Sequence, residues 1–97
     1  MALRDEVRAV LRVSSALYDS EIDTLIASAL FDMRNKGISE GFIGQEGSYP
    51  PMVRQAVALW CKANFGYDND EAPRFMQAYE SIVCSLMASH NDGGSDG

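Results

Sequence analysis

Residues Ser20 to Lys36 read SEIDTLIASALFDMRNK, and every local signal in them agrees on one amphipathic helix. Ile22, Leu25, Ile26, Ala29, Leu30 and Met33 recur at i, i+3, i+4, i+7, i+8 and i+11, the spacing that gathers side chains on one helical face. Glu21 and Asp23 suit the positive end of the helix dipole, and Arg34 and Lys36 suit the negative end. Asp19 or Ser20 can cap the first turn, and Gly37 can take the left-handed conformation that stops the last. A helix with a single apolar stripe must cover that stripe, so the rest of the chain has to supply partners.

Three further stretches do so. From about Ala2 to Leu11, the residues Leu3, Val7, Val10 and Leu11 share a face, and Arg4, Arg8 and Arg12 form a basic row beside it. Within that row an Asp5–Arg8 pair at i, i+3 supports the helix, and Val13-Ser14-Ser15 then interrupts it. A third helix opens at Pro50-Pro51, where a missing N–H costs nothing, carries Val53, Ala56, Val57, Trp60, Cys61 and Asn64 inward, and closes at Gly66. A fourth starts near Asp70 and Glu71, tolerates Pro73 in its first turn, and points Phe75, Tyr79, Ile82, Val83 and Leu86 at the core. No segment alternates with period two between turn signals. The reading is an all-α, small four-helix bundle-like domain over residues 1–89, followed by a polar tail, 90–97, expected to be disordered. Between helices two and three lies a long loop, Ile38 to Tyr49, with Gly41, Gly44 and Gly47 and the apolar Phe42 and Ile43. A loop of that length in so small a domain is usually functional or mobile.

Composition narrows the class. With 97 residues the chain makes one domain with one modest core. Formal net charge is −6, from 8 Lys and Arg against 14 Asp and Glu, which disfavours a dedicated nucleic-acid binder because phosphates need cations. No apolar run approaches the ~20 residues that span a bilayer. The first residues lack the apolar core of a signal peptide, so a cytoplasmic site of synthesis is expected. Cys61 and Cys84 stand far apart on apolar sides of two helices and read as two buried free thiols in a reducing compartment.

A search for chemistry finds no catalytic set. The single histidine, His90, lies in the polar tail, which removes Ser-His and Cys-His arrangements. Asp19, Glu21 and Asp23 step by two around a helix and are explained by its dipole rather than by a metal. The run Asp68-Asn-Asp-Glu fails as a calcium loop, because Pro73 holds the glycine position and Tyr79 the closing bidentate one. The loop glycines make no phosphate cradle, since no lysine follows Gly47. Trp60, Phe75 and Tyr79 at helical spacing are core residues before they are a binding groove. Neither cofactor nor metal is expected, and an enzyme is not. What remains is the Arg4, Arg8, Arg12 row, either a solvated face or an acid-complementary surface for a neighbouring subunit.

In order and spacing, three stretches resemble the head–tail connector family of tailed phages, also called head-completion, adaptor or DNA-packaging proteins. They are Tyr18 to Ala29, similar to an acid-capped second helix; Tyr49 to Tyr67, similar to a proline-started helix ending in an aromatic-Gly pair; and Arg74 to Leu86, similar to a final helix with a mid-helix tyrosine. The resemblance implies a structural protein of the virion head–tail junction, made in the host cytoplasm. It also implies a cyclic homo-oligomer of about a dozen copies, closed by head-to-tail contacts, with the portal protein and a tail or stopper protein as partners. DNA would pass through without specific binding, and no membrane is involved. Carried onto this chain, the loop becomes the subunit-interface or channel element, with Glu40, Phe42, Ile43, Glu46 and Tyr49 as its candidate residues. Glu40 and Glu46, both negative, would then limit adhesion of DNA to the channel. A small acidic regulatory or adaptor domain that binds one protein partner is the alternative.

Overall fold

The computed structural model describes residues 3–45, 47–66 and 69–95. Its elements are α1 (Leu3–Leu11), a 3-10 turn (Ala16–Tyr18), α2 (Asp19–Asn35), the short α3 (Glu40–Ile43), α4 (Pro51–Asn64) and α5 (Ala72–Ser95). There is no strand among the described residues, and the fold is all-α as the periodicity requires. The four long helices are the four of the sequence reading.

Helix α4 is the hub, packing against α5, α2 and α1. Its Val53, Ala56, Val57 and Cys61 are fully buried, meeting Ile22, Ala29 and Met33 of α2, Tyr79 and Val83 of α5, and Leu3 and Val7 of α1 in one core. Burial of each large aliphatic side chain stabilises by roughly 1.5–3 kcal/mol, so the shared stripe is what holds the bundle. Two inward assignments change. Asn64 is exposed, its amide donating to the Trp60 carbonyl at 2.8 Å, while Ala63 beside it is buried. Of the two cysteines, Cys61 is buried and its thiol is pushed up to about 12 by that burial, but Cys84 is exposed. The apolar side of α5 is narrower than its sequence implies, because α5 runs along one flank of α4.

The helix ends obey local chemistry, with one surprise. Gly37 stops α2 at φ 105°, and the Ile38 N–H returns to the Met33 carbonyl at 3.2 Å. Ile38 itself is buried, completing the hydrophobic contact that accompanies such a stop. After α4 the stop differs: Phe65 turns extended at ψ 129° while its N–H still bonds the Cys61 carbonyl at 2.9 Å, and Gly66 follows at φ 87°. At the start of α2 neither Asp19 nor Ser20 caps: Tyr18 occupies the cap position without a side-chain hydrogen bond, and Asp19 is already helical. The preceding 3-10 turn, begun by Ser15 accepting from the Leu17 N–H at 3.1 Å, delivers the chain into α2 and makes a separate cap unnecessary.

The stop of α1 is the unusual one. Arg12 has φ 60°, where glycine is expected, and its N–H bonds the Ala9 carbonyl while the Val13 N–H bonds that of Arg8. A Cβ in this conformation is strained. Arg12→Gly is expected to stabilise the isolated chain by up to about 1 kcal/mol in urea unfolding, the relief of strain exceeding the added flexibility of the unfolded chain.

At the other end, α5 runs to Ser95, past the boundary at residue 89 from which composition predicts a disordered tail. Propagating an existing helix adds a hydrogen bond per residue without a new nucleus, so a packed stretch can carry polar residues along with it. Asp96 and Gly97 lie outside the described residues.

Candidate functional site: the inter-helix loop and the arginine row

The loop between α2 and α4 is less open than its glycines imply. Residues 40–43 form α3, whose first turn is closed by the Ile43 N–H on the Ser39 carbonyl at 3.0 Å. Ile43 is completely buried and Ile38 nearly so, which pins α3 to the core at both ends. Phe42 and Tyr49 are half-buried against the same core. Of the candidate contact residues, then, Phe42 and Tyr49 retain some surface, and Ile43 has none to offer a neighbour in this conformation. Periodicity could not find this, since four residues are barely one turn; the signal available was the pair Ile38 and Ile43 flanking the segment.

Glu40 projects outward, its carboxylate 3.0 Å from Arg34 Nε at the end of α2. The pair is exposed and worth little in stability. Glu46 lies outside the described residues. Beyond α3 the chain turns at Gly44, with φ 91° and ψ −170°, and again around Gly47. A Cβ on Gly44 would meet the Pro50 ring Cδ at 2.9 Å, so the backbone here passes against the start of α4 with no room for a side chain.

The arginine row is brought to acids, but to acids of its own chain. Arg4 grips Asp23 of α2 in a two-pronged pair, Nε to Oδ1 at 2.8 Å and Nη2 to Oδ2 at 2.5 Å, with Asp19 at 3.6 Å. Hydrogen bonding from Arg4 holds the Asp23 carboxyl below its usual range, and Asp23 in turn raises Arg4. Arg8 faces Asp19 at 3.6 Å and donates to the Ser14 carbonyl at 2.7 Å, rather than turning to Asp5. Two of the acids read as dipole partners of α2, Asp19 and Asp23, are thus also the clamp that fixes α1 upon it. Arg54 of α4 completes the fastening, reaching Glu6 of α1 at 2.9 Å. Arg12 stands apart, exposed and without a side-chain partner among the described residues.

Sequence reasoning missed one polar assembly. Tyr79, assigned simply to the core, donates from its hydroxyl to Asp32 Oδ2 at 2.7 Å, with the Ala29 carbonyl at 3.4 Å. Asp32 also accepts from Lys36 at 2.7 Å, and Lys36 reaches Glu80 at 3.4 Å. The Trp60 ring packs edge-on against Tyr79 at 5.0 Å. Burial, and then the carboxylates of Asp32 and Glu80, raise the Tyr79 hydroxyl far above its ordinary value. Burial alone would lower Lys36, but Asp32 and Glu80 outweigh it and hold it raised. The i, i+4 spacing of Asp32 and Lys36 was the legible half of this network.

No group of three His, Cys, Asp or Glu side chains among the described residues is placed to hold a metal. No described helix is long and apolar enough to cross a membrane. Ion pairs fasten α1 to α2 and to α4, and the apolar stripes of the helices face one another. The chain belongs to the phage connector protein family, whose sequence model matches residues 3–93. It is accordingly a component of the phage head–tail connection. No curated protein and no solved structure gives a significant match.

Proposed function

We propose that the chain is a ring-forming connector subunit: copies close head to tail beneath the portal into a ring of about a dozen, extending the DNA channel and presenting a docking surface to the tail or stopper protein. The observation that carries this reading is the family match, which spans residues 3–93, from the start of α1 into the last turn of α5. The surface is compatible with it. Leu17, Phe31 and Met52 are large, apolar and exposed on different elements, where neighbours could cover them. The test is electron microscopy of the purified chain mixed with the portal protein of the same phage. Rings seated on the portal are expected; a monomer or dimer that leaves the portal bare would instead favour a small adaptor with a single partner.

In this reading the loop over residues 38–49 faces the channel or the adjoining subunit, and its charges are Glu40 and Glu46. A channel that passes DNA rapidly must make few phosphate contacts, because each must later be broken. Replacing both glutamates by lysine is expected to make the assembled ring retain duplex DNA at moderate salt, measured by co-sedimentation. Unchanged sedimentation of the DNA would remove the loop from the channel wall.

A further inference from the structure

With 14 acids against 8 Lys and Arg, a contact between two copies of this chain is favoured where uncommitted positive charge offsets their mutual repulsion. Most of it is committed. Arg4, Arg8, Arg34, Lys36, Arg54 and Arg74 all sit in ion pairs within the chain. That leaves Lys62, whose ammonium lies over the Phe75 ring at 4.6 Å, and Arg12, which has no side-chain partner among the described residues. Arg12 is also the one non-glycine at positive φ among them. Within a few residues of it, Val10 is 40% and Leu17 is 87% exposed. One exposed leucine is ordinary, but this corner of the chain combines an unpaired cation, backbone at positive φ and exposed aliphatics on either side of it in sequence.

A complementary surface lies elsewhere on the same chain. Glu21, Thr24, Ser28 and Phe31 are spaced to share one outer face of α2. Glu21 is exposed and has no ion-pair partner among the described residues. Phe31, 66% exposed, borders a shallow hollow with Trp60, whose indole Nε1 is buried without an acceptor. The face therefore carries an unpaired anion at Glu21 and, from Thr24 onward, a hollow whose lining mixes Ala27, Phe31 and Trp60 with Asp32 and Arg34, Phe31 lying roughly 15 Å from Glu21 along the helix.

Resting on the ring reading above, we propose that the corner between α1 and the 3-10 turn of one subunit docks on the outer α2 face of the next, Leu17 entering the hollow beside Phe31 and Arg12 meeting Glu21. The two surfaces differ, so the contact is heterologous and leaves the face of the first subunit and the corner of the second free for further neighbours.

Two variants, Leu17→Cys and Phe31→Cys, each made with Cys84→Ser, test the contact. Both positions are exposed, and thermal melts matching the parent confirm that each variant folds. Mixed and mildly oxidised, the two are expected to yield a dimer joined between positions 17 and 31, while each alone yields none. Adding Arg12→Glu to the Leu17→Cys chain should cut the yield about tenfold, and Glu21→Arg on the other chain should restore it. Absence of the joined dimer, dimers joined 17–17 or 31–31, or a yield indifferent to Arg12→Glu would overturn the proposal. The outcome separates from that of the ring reading. Rings on the portal whose positions 17 and 31 do not join remove this contact and leave the ring, whereas joined 17–31 pairs that never build rings retain the contact and remove the ring.

Discussion

Replacing Tyr79 by alanine is expected to destabilise the chain by about 4 kcal/mol, read from denaturant unfolding. The ring is fully buried, touches Trp60 edge-on, and fills the space where α5 crosses α2 and α4. Its loss leaves a cavity and also strips Asp32 of a 2.7 Å hydrogen bond. Tyr79→Phe separates the two contributions: it keeps the ring, removes the hydroxyl, and should cost only about 1–2 kcal/mol. The hydroxyl also sets an alkaline limit. Because its folded value is raised above the ordinary value near 10, the tyrosine loses its proton more readily in the unfolded chain than in the native one. Its contribution is complete below pH 10 and drains away above it, by at most about 1.4 kcal/mol per pH unit. Stability measured from pH 8 to 11 should therefore fall more gently for Tyr79→Phe than for the parent. Equal slopes would place the hydroxyl in solvent.

Gly44→Ala is the second large effect, with an expected loss of about 3 kcal/mol, more than any ordinary surface change in this loop. Two costs combine. The backbone at φ 91° and ψ −170° belongs to a region that only glycine occupies readily, and the added carbon would sit 2.9 Å from a ring carbon of Pro50. Pro50 cannot withdraw without moving the first turn of α4. Gly41→Ala in the same loop is the control: nothing lies within 4 Å of a Cβ there, and it should be nearly neutral or slightly stabilising. Thermal melts of the two variants side by side check the contrast; similar melting temperatures would mean that the Gly44 turn relaxes freely.

The fold was legible where many weak signals coincide. Along α2 the apolar period and Gly37 reinforce each other, and the helix lies within one residue of its expected bounds. The core of α4 follows from its stripe, apart from the exchange of Asn64 for Ala63. What periodicity does not carry is pairing between distant residues. Nothing local in Arg4 selects Asp23, nineteen positions on, over Asp5 beside it; that choice is made by the crossing of α1 over α2. The same holds for Tyr79 and Asp32, forty-seven positions apart. Cys84 was misjudged because an apolar flank in sequence becomes a core face only where another helix covers it. In the candidate loop, glycine content pointed to freedom, yet two isoleucines five residues apart were sufficient to fasten the segment between them.

That fastening has an outcome for assembly. A slack connection of a dozen residues would have to be immobilised when another protein seizes it, at roughly 1 kcal/mol or more for every residue arrested. Here Ile38 and Ile43 impose much of that order as the chain folds, so in the proposed ring a neighbour pressing on Phe42 would meet a template already cast. Ile43→Ala, although nowhere on the surface, should then register as a weakened grip between particles as well as a softer core.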